Sequence, residues 1–285
     1  MKYRYSEKRI HYLARNLLNL ISVSTKNRTN KKQYRICAIP NDLIGRSFSA
    51  SGSYEAAGVA AVEWLCRNQK IKNPGNTTFV DIGANIGTYT LPLSFEFASV
   101  IAYEPHPVTS KILTLNVEIN DIANVEVIDH GLSDTDGCAL LYEPERENIG
   151  AASIEHATDG VAHQISLRYA SEAIKKTQCS PVSFIKIDVE GHEGKVIKGL
   201  SDLLMEQHPV IAFEANDLSK NQTLMHALQH IGYSRFLALD TRPSIKNPWI
   251  RAIMLFLFGV KYDLRQVQDI SNKKYSLVFA FSEVG

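Results

Sequence analysis

From residue 77 onward, short runs of apolar residues alternate with longer segments whose apolar positions recur at helical spacing. The runs predict strands near 79–82, 100–104, 125–130, 184–188, 210–214, 235–239 and 275–281, with helices over 108–120, 194–206 and 221–231 between them. Strand and helix in turn is the pattern of a parallel sheet buried on both faces, so the expected fold is α/β, with a mostly parallel seven-stranded sheet and helices on either side. A further helix is expected from Tyr54 to Cys66, with Ser53 as its N-cap. Near the start, Ile10, Leu13, Ala14, Leu17, Leu18 and Ile21 form an apolar helical stripe, with Lys8, Arg9 and Arg15 mostly off it. Ser24 to Lys32 has no period and reads as a linker. Between the sixth and seventh strands the rhythm breaks in an insertion, residues 240–274. Its apolar run Trp249–Val260 falls short of the roughly 20 residues a bilayer requires and is expected to be a cap or docking helix. The expected division is a helical extension and cap over 1–76 and an α/β domain over 77–285.

Composition changes this picture little. Of 285 residues, 45% are hydrophobic and 21% charged, as in ordinary globular proteins, and the net charge of +1 provides no bulk field for nucleic acid. Basic residues nevertheless crowd ahead of Cys37, with Glu7 the one acid among them. The basic helix therefore has two readings: packing on its own domain, or peripheral contact with an anionic membrane. Cys37, Cys66, Cys138 and Cys179 are far apart, which indicates neither a zinc site nor a disulfide framework and suits a cytoplasmic setting. Asn19 and Ser22 interrupt the apolar run Leu17–Val23, and no small-residue cleavage site follows it, unlike a signal peptide.

The candidate chemistry starts at Thr78–Thr90, which reads as a buried strand ending in an acid, a tight glycine turn and the first turn of a helix. Glycine lets a backbone approach a ligand closely and adopt positive φ at little cost. The second strand ends in Glu104, placed in a strand–helix–strand unit to reach ribose hydroxyls. A dinucleotide fingerprint needs a third glycine, whereas here Gly83 and Gly87 flank Asn85 with none placed for a pyrophosphate. S-adenosylmethionine is thus favoured over NAD.

Several motifs then fall in one order: Asp81-Ile-Gly-Ala-Asn-Ile-Gly87, Glu104-Pro105, Gly131-Leu-Ser-Asp134 with Gly137, Asn148-Ile-Gly150 with Ser153, and Ile185-Lys-Ile-Asp-Val-Glu-Gly-His-Glu193. Over roughly residues 54–214 the chain resembles the FkbM family of S-adenosylmethionine-dependent methyltransferases. The resemblance implies a Rossmann-like class I methyltransferase fold and O-methylation of a hydroxyl on a sugar, polysaccharide or secondary-metabolite acceptor. In it, Gly83, Ala84, Asn85 and Gly87 would form the cofactor turn. Asp81 would orient that turn or receive the methionine ammonium through water, Glu104 would accept from the ribose, and Leu132 would flank the adenine. Glu55 would either sit at the mouth of the cleft or serve the dipole of its helix.

A hydroxyl acceptor loses a proton, and the candidates for the catalytic positions cluster after the fourth strand. These are Asp188, Glu190 and His192, with Glu190 or His192 as the base and Lys186 paired to Asp188 or Glu214. No resident metal is assigned, although carboxylates from Asp188, Glu190 and Glu214 would suit a divalent ion such as magnesium. Two other functions remain open: an NAD-dependent oxidoreductase and a non-catalytic cofactor-binding protein.

Overall fold

The computed structural model describes residues 34–40, 42–51, 54–144, 152–178, 180–242 and 261–283. The basic stripe at 10–21, the linker at 24–32, Ser53, Asn148–Gly150 and Trp249–Val260 lie outside the described residues.

Helices α1 (Leu43–Ser51) and α2 (Ala56–Arg67) precede β1 (Thr78–Ile82), a short α3 (Thr90–Leu93), β2 (Ser99–Tyr103), α4 (Pro107–Glu118) and β3 (Val125–Ile128). Then follow β4 (Gly131–Ser133), β5 (Gly137–Tyr142), β6 (Ala162–Tyr169), α5 (Ala170–Thr177) and β7 (Val182–Ile187). The chain continues through α6 (Glu193–Gly199), α7 (Ser201–Gln207), β8 (Val210–Ala215), α8 (Leu218–His230), β9 (Tyr233–Arg242), β10 (Lys261–Val267) and β11 (Tyr275–Ser282). All seven expected strands form, in a sheet of order β10-β9-β11-β8-β7-β1-β2-β3.

This sheet has 8 strands, one more than expected. Among the described residues the extra strand, β10, pairs only with β9, at the edge, and Asp263 and Arg265 stand two positions apart along it. An edge strand needs no continuous apolar run, and charges along it discourage further pairing, so it carries little of the expected signal. β3, β2, β1, β7 and β8 run parallel, whereas β11 lies antiparallel between β8 and β9.

Side chains alternate across the strands and are covered on both faces. Val80, Ile82, Ile185 and Ile187 pack with the apolar faces of α5 to α8, including Ile174, Val196, Leu204 and Leu228. On the other face Phe79 and Phe184, with ring centroids 5.1 Å apart, pack with Val62 and Leu65 of α2. Leu113 and Val117 of α4 pack against Ala102 of β2.

The expected helix over 194–206 is divided into α6 and α7. A Cβ at Gly199 would lie 2.1 Å from the carbonyl oxygen of Ser133, so the helix end presses against β4 where only glycine fits. The Ser171 hydroxyl donates to the Gly199 carbonyl at 2.8 Å and accepts from the Leu203 amide at 3.3 Å, which stabilises the break.

A second sheet, of order β4-β6-β5, was not expected from the sequence. Because the chain runs from β1 to β2 and β3 on one side and then crosses to β7 on the other, a crevice opens beyond the carboxyl ends of β1, β2 and β7. The second sheet walls that crevice through Leu132, Leu141, Ile165 and Leu167.

Candidate active site

The glycine turn hangs from the end of β2. The amides of Gly83 and Ala84 both donate to the Tyr103 carbonyl, at 2.9 and 3.0 Å. Gly83 has φ 77°, Asn85 φ 52° and Gly87 φ 96°, all in the left-handed region that glycine, and to a lesser degree asparagine, tolerates. A Cβ on Gly83 would sit 1.8 Å from the Asp188 carbonyl oxygen, so this glycine also lets the turn close on the end of β7. The helix after the turn, α3, has only 4 residues.

Glu104 ties the turn together. Its Oε2 accepts from the Asn85 amide at 2.7 Å, and its Oε1 accepts from the His106 amide and the Thr109 hydroxyl, both at 2.9 Å. Burial raises the Glu104 pKa above the usual carboxylate value against the pull of these three donors. Asn85 Oδ1 is buried with no hydrogen-bond partner, on a residue that lines the cleft.

Of the predicted cofactor residues, Gly83, Asn85, Glu104 and Leu132 line the cleft, whereas Asp81, Ala84 and Gly87 do not. Ala84 packs with Leu91 and Leu113, and Gly87 abuts the same two side chains, so both shape the turn from behind. Asp81 is fully buried; its Oδ2 accepts from the Thr90 hydroxyl at 2.7 Å, which anchors the segment following the turn.

The cleft is strongly acidic on its other side. The Lys186 ammonium, on a residue only 3% exposed, donates to Asp188 Oδ2 at 2.9 Å and lies 3.9 Å from Asp81 Oδ1. Burial alone would lower its pKa, but Asp188, Asp81 and Glu55 raise it well above the usual lysine value. The expected pairing with Asp188 is thus the one formed. Burial, with Asp188 and Glu193 nearby, pushes Glu190 up to about 7. Burial, with Asp188 and Glu190 nearby, pushes Glu214 up to about 8. Glu55 lines the cleft too, accepts from the Thr88 hydroxyl at 3.3 Å and is raised to about 7, chiefly by burial. One oxygen from each of Asp188, Glu190 and Glu214 falls within a 4.8 Å group. Such spacing would suit a cation, and equally suits carboxyls that relieve repulsion by holding protons.

Asp188, Glu190 and His192 come together on the turn after β7, where Glu190 has φ 48° and Gly191 φ 101°. Both ring nitrogens of His192 are engaged: Nδ1 lies 2.7 Å from Glu155 Oε1, and Nε2 lies 3.0 Å from the Ser133 hydroxyl. Neither Ser133 nor Glu155 stood out in the sequence as a partner of this turn. Also unforeseen was a cluster around His106, which lines the cleft. His106 Nδ1 accepts from the amides of Val108 and Thr109, capping α4, while its Nε2 lies 3.0 Å from Glu143 Oε1. His163 Nε2 reaches the same oxygen at 2.6 Å. With Nδ1 accepting, the His106 proton sits on Nε2 and points at Glu143, so this ring is not arranged to ligate a metal. The cleft opens to solvent and is lined by both apolar side chains such as Leu132 and Ile165 and the acids Glu55, Glu104, Asp188, Glu190 and Glu214.

Residues 81–235 match the family model described as the methyltransferase FkbM domain. Hexuronic acid methyltransferase AglP of Haloferax volcanii is 33% identical over 46% of this chain and 53% of its own length. Methyltransferase 1 of Beauveria bassiana is 25% identical over 45% of this chain and 60% of its own length. The chain thus spans little more than half the length of these curated relatives. Among solved structures, the human methyltransferase 10 domain containing protein superposes with a TM-score of 0.51 at 11% identity, over 98% of this chain and 99% of that one. That likeness concerns the fold, a class I Rossmann-like methyltransferase architecture.

Proposed function

The chain belongs to the FkbM methyltransferase family, and from that membership we propose that it methylates a hydroxyl on a sugar-containing acceptor using S-adenosylmethionine. The observation that carries the reading is the meeting, in one cleft, of a glycine turn held by Glu104 with a carboxylate whose pKa lies near neutrality, Glu190. The sugar acceptor is supported by the likeness to the hexuronic acid methyltransferase.

The residues present fit the cofactor. Asn85 Oδ1 is a buried acceptor in need of a donor, and Glu104 keeps lone-pair capacity beyond its three bonds. Gly83, Asn85 and Glu104 would hold the nucleoside and methionine portions, with Leu132 as an apolar wall. When bound, S-adenosylmethionine supplies an electrophilic methyl carbon on a sulfonium. Most of the acceleration then falls to positioning, worth roughly 7–11 kcal/mol.

Glu190 takes the acceptor hydroxyl proton onto its carboxylate. Its raised pKa leaves it ionised above about pH 7 yet basic enough to accept. Asp188 holds Lys186, whose charge offsets part of the local repulsion among acids. With both nitrogens bonded, His192 is better suited to holding the turn than to taking a proton.

The test is release of S-adenosylhomocysteine by the full chain with a panel of methyl hexopyranosides and methyl hexopyranosiduronates. Acceptor-dependent release supports O-methylation of a sugar. Tight binding of S-adenosylmethionine with no release on any glycoside overturns the acceptor class while leaving family membership intact, and binding of NAD in its place overturns the cofactor.

A further inference from the structure

Three polar side chains, those of Ser133, Ser153 and Glu155, converge on the turn after β7 without contributing a group to the reaction. Ser153, 6% exposed, donates through its hydroxyl to the Glu190 carbonyl at 2.7 Å. Its own backbone is fixed by a reciprocal pair with Tyr142 at the end of β5, at 2.9 and 3.0 Å. Two residues on, Glu155 Oε1 meets His192 Nδ1 at 2.7 Å and Lys195 Nζ at 3.0 Å, while the Glu155 amide donates to the Ser153 hydroxyl at 3.2 Å. From the other side Ser133 of β4 reaches His192 Nε2 at 3.0 Å. Ser133 of the second sheet and the segment following β5 thus hold the Glu190 carbonyl and the His192 ring of a turn whose central residues, Glu190 and Gly191, stand at positive φ. A non-glycine residue held there is strained and persists only when its surroundings enforce it. Ala152 and Ile154, flanking Ser153, also line the cleft, so the same short segment forms its wall.

We propose that Ser153 and Glu155 are positioning residues, a latch by which the segment following β5 holds the Glu190 turn in its reactive conformation. The proposal rests on the reading of Glu190 as the base. His192 is the middle of the latch: its Nδ1–H donates to the Glu155 carboxylate, and its Nε2 meets the Ser133 hydroxyl. Glu155→Gln keeps an oxygen that can accept from His192, whereas Glu155→Ala removes it. Ser153→Ala removes the donor to the Glu190 carbonyl and leaves the wall residues Ala152 and Ile154 in place.

Amide hydrogen exchange on the full chain, read over residues 188–193 against β1 and β7, tests the latch without an acceptor. Ser153→Ala and Glu155→Ala should each speed exchange of the Gly191 and His192 amides at least tenfold, with β1 and β7 unchanged, and Glu155→Gln should exchange like the parent. In turnover with the methyl glycoside of highest activity, both alanine variants should lose about tenfold or more in kcat, with the KM for S-adenosylmethionine within twofold, and Glu155→Gln should recover most of the loss. The double alanine variant should be little worse than either single one, since both act on one conformation. Unchanged local exchange overturns the latch. Faster exchange with unchanged kcat overturns its positioning role, and exchange that rises equally in β1 and β7 means plain destabilisation. If Glu190→Gln itself turns over normally, the base assignment has failed, and the exchange result still reports separately on the latch.

Discussion

Glu104 is a buried carboxylate that both ties the glycine turn together and lines the cleft. It accepts from Asn85, His106 and Thr109, so Glu104→Ala strips an acceptor from three donors and removes the group facing the cleft. Affinity for S-adenosylmethionine should fall by about 1.5–3 kcal/mol, the usual worth of hydrogen bonds to a charged group, as read by calorimetry. An unchanged dissociation constant in a folded variant would remove Glu104 from the cofactor site. Glu190 differs because its loss should spare binding: Glu190→Gln should cost about a hundredfold in kcat at saturating acceptor, with cofactor affinity within about twofold. In the parent, kcat should rise with pH through about 7 as Glu190 loses its proton, and this limb should vanish in the variant. A limb that persists in Glu190→Gln and disappears in His192→Asn would return the role of base to His192.

The turns are where local sequence and tertiary packing meet. Gly83 needs both a positive φ and the absence of a Cβ beside the Asp188 carbonyl, so Gly83→Ala should lower the thermal midpoint and weaken S-adenosylmethionine binding together. Loss of stability with full affinity would show that the turn serves only packing. This element was legible in the sequence because glycine and asparagine at left-handed positions declare themselves, as did the apolar runs of the strands buried on both faces. The second sheet was not. β6 carries Ile165, Leu167 and Tyr169 at every other position, a period-2 signal, but the run is short and of the three only Ile165 is buried. The partners of His192 were hidden for a different reason. Ser133 and Glu155 lie 59 and 37 residues away, and no local pattern announces a contact made only when two sheets pack together. Asp188 and Glu214 were legible as strand-end residues and Glu190 as part of the turn after the fourth strand, while their mutual distance awaited the fold.

Across the whole molecule, the acids of the cleft should make stability fall as the solution becomes more alkaline. Glu55 and Glu190 have pKa values raised to about 7 and Glu214 to about 8, each chiefly by burial, so the folded chain holds protons that the unfolded chain has released. A carboxyl whose folded pKa is raised contributes stability that is complete below its unfolded value and is lost as pH climbs through the folded one. His106 and His130 act in the opposite sense, since burial lowers both below the usual histidine value, but their contribution is already complete above about pH 6.5. The window from pH 6.5 to 8.5 therefore isolates the acids. Lys186 remains charged throughout it and gives the window no slope of its own. Because the three acids share neighbours, their titrations are coupled and their effects are less than additive. With no cofactor added, the thermal midpoint should drop by about 5 °C or more across this window, given roughly 2–4 °C per kcal/mol for a chain of this size. Glu214→Gln, which keeps the shape of the side chain and can never ionise, should flatten that slope, whereas Glu63→Gln on α2, outside the cleft, should leave it unchanged. A midpoint that is level or rising from pH 6.5 to 8.5 in the parent would mean that these carboxyls are already ionised in the folded chain, and Glu190 would then lack the near-neutral pKa that suits it to take a proton from the acceptor.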